Sequence, residues 1–107
     1  MPVDPSELDR AYATLAGFGP ELSLPLAERL ARHYPELSPE QGREVLEQVE
    51  RVTRTVWSLA ERGGEARLGR DAVADELRAA HAFLHDTGLK HALFLVNYYA
   101  WHEGRER

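Results

Sequence analysis

The chain has 107 residues, 43% hydrophobic and 29% charged, with 18 acidic and 13 basic side chains and no cysteine. That length suits one domain with one modest core. The missing cysteine excludes a disulfide scaffold, a thiolate zinc site, a cysteine nucleophile and an iron–sulfur cluster. The formal charge of -5 argues against a non-specific nucleic-acid binder, which needs lysine and arginine to displace phosphate counterions.

The first predicted helix opens at Asp4. Asp4 can cap, Pro5 suits the first helical position, and Glu7 completes a capping box. Leu8, Ala11, Tyr12 and Leu15 then share one face. Gly17, Gly19 and Pro20 stop it. A second, short helix follows a cap at Ser23, with Leu26, Ala27, Leu30, Ala31 and Tyr34 facing inward. Pro35 ends it by pushing the preceding residue out of helical geometry.

The third helix carries the clearest pattern. Ser38 caps, Pro39 starts and Gln41 closes a box. Val45, Val49, Val52, Val56 and Leu59 recur at spacings of 4, 3, 4 and 3, and Leu46, Trp57 and Ala60 widen the stripe. Valine is a mediocre helix former, so this helix depends on burying that face. Its end falls near Arg62, at Gly63-Gly64, and a loop follows.

A fourth helix is predicted from about Asp71 to His85, with Val73, Leu77, Ala80 and Leu84 inward. A turn at Asp86-Thr87-Gly88 leads to a fifth, from about Leu89 to His102. Strand is the competing reading for that last stretch, but no other segment alternates with period two, and a lone strand leaves its backbone groups unpaired. The expected fold is all-α, a small antiparallel bundle of four to five helices. A faint repeat at an offset of 47 aligns Leu30, Leu37, Leu46, Val49 and Val52 with Leu77, Leu84, Leu93, Val96 and Tyr99. It suggests two helical hairpins behind a leading helix. Any two amphipathic hairpins can align to this degree.

Two constellations are candidates for function. His81 and His85 stand four apart, the helical spacing that offers two imidazoles to one metal ion; Asp86 could add a carboxylate, and His91 and His102 lie on the following predicted helix. On a helical wheel His81 falls at the margin of the apolar face and His85 near solvent, so an ordinary boundary role competes with the metal reading. The last helix is apolar nearly all round. Leu89, Ala92 or Leu93, Val96, Tyr99 and Ala100 supply a core stripe. Phe94, Tyr98 and Trp101 make a second, and His91, Leu95, Tyr98 and His102 a third. Such a helix is either central in its domain or covered by a partner. Five short helices do not easily encircle one of their own, which favours a protein contact through Phe94, Tyr98 and Trp101, most simply a homodimer.

Enzyme signatures are missing. There is no phosphate loop, dinucleotide fingerprint, nucleophile elbow or zincin motif. Arg62, Arg67 and Arg70 around the glycine loop make only a weak anion site, with Glu65 among them. A helix-turn-helix reader at Pro35–Pro39 would present Glu40 and Glu44 to phosphate. No apolar run approaches the ~18 residues of a membrane span, and the first residues show no secretory signal. The sequence-based expectation is therefore a single helical domain over residues 1–107, non-catalytic and without a cofactor. It would act in the cytoplasm on a second copy or another protein, with no nucleic acid and no membrane. The alternative is a metal- or small-ligand-binding protein using His81 and His85.

Overall fold

The computed structural model describes residues 3–16 and 24–106, with side chains to Trp101. Among these residues it is an all-α bundle of six helices without strands. They are α1 (Pro5–Leu15), α2 (Leu26–His33), α3 (Pro39–Glu61), α4 (Gly64–Leu68), α5 (Arg70–Ala80) and α6 (Asp86–Glu106).

Asp4 caps α1 as expected, but through Ser6: its carboxylate accepts from the Ser6 N–H at 2.8 Å and the Ser6 hydroxyl at 2.7 Å. The Glu7 N–H turns to the Asp4 main-chain oxygen instead of a side-chain box. Leu8, Ala11, Tyr12 and Leu15 are all buried. The stop at Gly17, Gly19 and Pro20 and the cap at Ser23 lie outside the described residues. In α2 only Leu30 is buried, with Leu26 and Tyr34 packed partly on the core. Ala27 and Ala31 are exposed, because so short a helix touches the bundle along a single edge.

The α3 box is formed in both directions, Gln41 N–H to Ser38 Oγ and Ser38 N–H to Gln41 Oε1, each at 3.1 Å. Its valine stripe and Leu59 are buried from end to end. Each such side chain contributes on the order of 1.5–3 kcal/mol relative to exposure, which compensates for valine's poor helix propensity. Trp57 departs from the stripe and is 40% exposed.

The loop expected after Gly63-Gly64 contains the one-turn helix α4. Gly63 and Gly64 both take positive φ, 101° and 59°, which glycine adopts without steric cost. Gly64 lies against α6, where an added Cβ would sit 3.2 Å from that of Ala100. Asn97 on α6 clasps the turn: its Oδ1 accepts from the Glu65 N–H at 3.3 Å and its Nδ2 donates to Glu65 Oε2 at 2.6 Å. Local sequence did not announce α4, since its partner lies 32 residues away.

The helix expected to run to His85 stops at Ala80, which is exposed, and His81 is its cap at φ -136°, ψ 83°. Asp86, Thr87 and Gly88, expected as a turn, are the first residues of α6. The faint repeat accounts for the shift. The α2 and α5 caps, Tyr34 and His81, are 47 residues apart, and so are the first residues of α3 and α6. Both caps have φ near -135°. Both turns close with the same bond, Leu37 N–H to Tyr34 oxygen at 3.3 Å and Leu84 N–H to His81 oxygen at 3.0 Å. The repeat is thus a structural one: helix, turn and helix, twice.

The two copies cap their second helix differently. Position 41 is glutamine, whose side chain returns to the cap N–H. The equivalent position in the second copy is Gly88, which has nothing to return. Asp9 of α1 fills the space: its buried carboxylate accepts from the His85 N–H at 2.6 Å. Its negative charge also suits a helix N-terminus.

The buried side chains of α1, α2, α3, α5 and α6 form one cluster, and α6 packs chiefly on α3 and α1. The smallest dimension is 17 Å, enough for about two layers of helices at 8–10 Å between axes. A two-layer bundle leaves α6 with an outer face. No helix of the described residues is long and apolar enough to cross a membrane.

Candidate functional site

The outer face of α6 is aromatic. Ala92, Leu93, Leu95 and Val96 point into the core, so the residues between them point away. Phe94 and Trp101 are 54% and 55% exposed, and Tyr98 between them is half-buried. The three expected contact residues come together as a continuous run of rings. Phe94 stacks on Tyr98 at 6.3 Å between centroids, and Tyr98 meets Trp101 at 6.5 Å. These separations lie in the range where aromatic pairs attract one another.

The run continues onto α3. Tyr98 meets the edge of Tyr99 at 5.7 Å, and Tyr99 stacks on Trp57 at 4.2 Å and 13°. Trp57 therefore belongs to this face, which sequence reasoning missed by assigning it to the valine stripe. The available signal was its position at the margin of that stripe, one residue after Val56. Tyr99, expected in the core stripe, is half-buried and joins the core to the face. Burial raises its phenol above the ordinary range, with the neighbouring Tyr98 adding to the effect.

The histidine pair has no common helical frame. His81 terminates α5 and is buried, 7% exposed, with its Nε2 2.7 Å from the Thr55 hydroxyl. His85 sits beyond the turn, largely exposed, with its imidazole 3.8 Å from Asp86. His91 is committed elsewhere: its Nε2 lies 2.5 Å from the Ala16 carbonyl, and its ring meets the Tyr12 ring edge-on at 5.8 Å. The His102 side chain lies outside the described residues. Among the described residues, no group of three or more histidine, aspartate or glutamate side chains could hold a metal ion. Near the glycine pair, Arg62 and Arg70 are engaged with Glu76 at 2.7 Å and Glu65 at 3.3 Å.

Burial, and secondarily the charge of Arg51, hold the His81 imidazole below its ordinary value of 6.5. Near that pH the folded chain binds fewer protons than the unfolded one. His81 then contributes its full stability above about pH 6.5 and loses it as pH falls towards the lowered folded value. His81→Gln keeps a polar group facing Thr55 but does not titrate. In chemical unfolding from pH 8 to pH 5, roughly the window of histidine titration, the wild type should lose more stability than this variant. Parallel pH profiles for the two proteins would contradict the assignment.

In comparison with known proteins, no family model, no curated protein and no solved structure matches this chain.

Proposed function

We propose that this chain is a non-catalytic protein-interaction module of the cytoplasm, and that it pairs with a second copy through Phe94, Tyr98 and Trp101. One observation carries this reading. The exposed large hydrophobic side chains among the described residues, Trp57, Phe94 and Trp101, all belong to one connected aromatic face. Exposed apolar residues scattered singly need no explanation, whereas a contiguous patch marks a contact surface. Tryptophan and tyrosine are also the side chains that concentrate binding energy at interfaces.

A second copy is the simplest occupant because the stripe is nearly self-complementary. Phe94 precedes Tyr98 by four residues and Trp101 follows it by three. Two α6 helices crossing antiparallel about Tyr98 set each Phe94 near the opposite Trp101. Twofold pairing is the commonest symmetry of protein oligomers. Sedimentation velocity from about 1 to 100 μM, the concentration range of modest protein affinities, should show a monomer–dimer equilibrium. A monomer throughout that range would overturn the homodimer.

A further inference from the structure

A cavity of about 400 Å³ opens between α1, α2, α3 and α6. That volume falls within the roughly 300–1,000 Å³ typical of small-molecule sites. Leu15, Leu26, Val49, Val56 and Leu95 supply its apolar wall. Tyr12 also lines it, but its hydroxyl is enclosed, with no hydrogen-bond partner among the described residues. A polar contact for a ligand therefore has to come from other lining groups. Thr53 is engaged within its own helix, where its hydroxyl donates to the Val49 carbonyl at 2.8 Å.

The charged lining residues are Arg29, Glu50 and Arg54. Glu50 and Arg54 are exposed, opposite in charge and four apart on α3, so their charges offset each other at the rim. Arg29 stands apart. It is half-buried on α2, and main-chain carbonyls hold its guanidinium in place: Nε donates to Leu24 at 3.2 Å and Nη1 donates to Leu15. Carbonyls orient the group but carry no net charge. Among the described residues no carboxylate is paired with it, and Nη2 is uncommitted. An apolar cavity is thus lined by a fixed, uncompensated positive charge, on a chain whose formal charge is -5.

We infer that this cavity is a binding site for a small monocarboxylate with an apolar body, whose carboxylate pairs with the Arg29 guanidinium while the body lies against the leucine and valine wall. A single carboxylate matches the single excess charge, and guanidinium N–H groups suit carboxylate oxygens in geometry as well as in sign. A half-buried pair is also screened less than one in open water. Among the described residues only Tyr99 belongs to both the cavity and the aromatic ladder, and the site does not depend on self-association.

Three probes of similar shape and different charge test the site: 2-naphthoate, the neutral 2-acetylnaphthalene and the cationic 2-naphthylmethylammonium. The readout is methyl chemical shifts of Leu15, Val49, Val56 and Leu95 on the full chain. The naphthoate should give saturable shifts at these methyls and bind about ten- to a hundredfold tighter than the ketone, the effect of a charge-assisted hydrogen bond. The ammonium should bind more weakly than either. Arg29→Gln, which removes the charge, should bring naphthoate and ketone to within about threefold of each other. That ratio is taken within one protein, so loosening of α2 affects both probes alike; were α2 to detach altogether, the wild-type ranking would still decide. Any of four results would overturn the site: no saturable shift with the naphthoate, shifts confined to the rings of Phe94 and Trp101, a ketone or ammonium that binds as tightly as the naphthoate, or an unchanged naphthoate preference in Arg29→Gln.

Discussion

Gly88→Ala should destabilise the fold by roughly 2–4 kcal/mol, against the usual direction for this change in a helix. Replacing a helical glycine with alanine ordinarily stabilises by about 0.5–1 kcal/mol, because the unfolded chain loses freedom. Here the new Cβ would lie 2.4 Å from Asp9 Oδ1 and 2.7 Å from the Asp9 carbonyl oxygen. The carbonyl belongs to the α1 backbone and cannot rotate away. Either α1 lifts off the start of α6 or the Asp9–His85 bond breaks. Overpacking of this kind costs about 1–3 kcal/mol, and a hydrogen bond to a charged group contributes about 1.5–3. In a domain of this size the loss should lower the melting temperature by about 10–25 °C.

Asp9→Ala probes the same junction from the other side and should cost about 1.5–3 kcal/mol. The double variant should be less destabilised than the sum, by about 1 kcal/mol, because removing the carboxylate removes the closest atoms the new methyl would meet. A neutral or stabilising Gly88→Ala, measured by urea unfolding, would show that Gly88 tolerates a side chain and that Asp9 does not depend on its absence.

This junction shows where the sequence was legible and where it was not. Devices closed within a few residues could be read directly. The Ser38–Gln41 box and the Val45-to-Leu59 stripe depend only on local spacing, and the structure forms both. Asp9 and His85 are 76 residues apart, so nothing near either residue announces the other. Without that partner, Asp86-Thr87-Gly88 resembles an ordinary turn, and nothing local stops the fourth helix before His85. The corrective signal was the repeat. Tyr34-Pro35 ends α2 unmistakably, and a shift of 47 residues carries that end to His81.

The same displacement separated the histidine pair. Its metal reading required helical geometry through His85, and the chain leaves the helix at His81. The aromatic face survived because its residues lie well inside α6, where the boundary error did not reach. Trp57 was missed for a physical reason: a wide apolar stripe predicts burial, but the margin of a stripe is decided by which neighbour lies beside it. Tyr12 was correctly placed in the core. Its unmet hydroxyl is a property of the assembled packing and leaves no trace in spacing.

For the dimer, Trp101→Glu should weaken self-association by about 30- to 1,000-fold, the effect of losing an interface side chain worth roughly 2–4 kcal/mol. The folded monomer should be little affected, because Trp101 is 55% exposed and exposed substitutions usually shift stability by under about 0.5 kcal/mol. Unchanged monomer stability with lost association is the signature of an interface residue; loss of both would mark a core residue. Phe94→Lys should weaken the dimer comparably, since the twofold places it against the same opposing side chain. Trp57→Glu, at the far end of the ring ladder on α3, should weaken it by a smaller factor, about tenfold.

The antiparallel register has its own test. In the double variant Phe94→Lys with Trp101→Glu, each lysine faces a glutamate on the other protomer, at both ends of the twofold. Two partly exposed ion pairs at about 0.2–1 kcal/mol each should make this dimer about two- to thirtyfold tighter than the two single losses combined predict, and added salt should reduce the gain. A parallel arrangement instead sets lysine against lysine and glutamate against glutamate already in the single variants, so the double variant would show only the sum of the two losses. Sedimentation equilibrium on the four proteins distinguishes the two arrangements, and strictly additive losses would remove the contact between positions 94 and 101 on which the pairing depends.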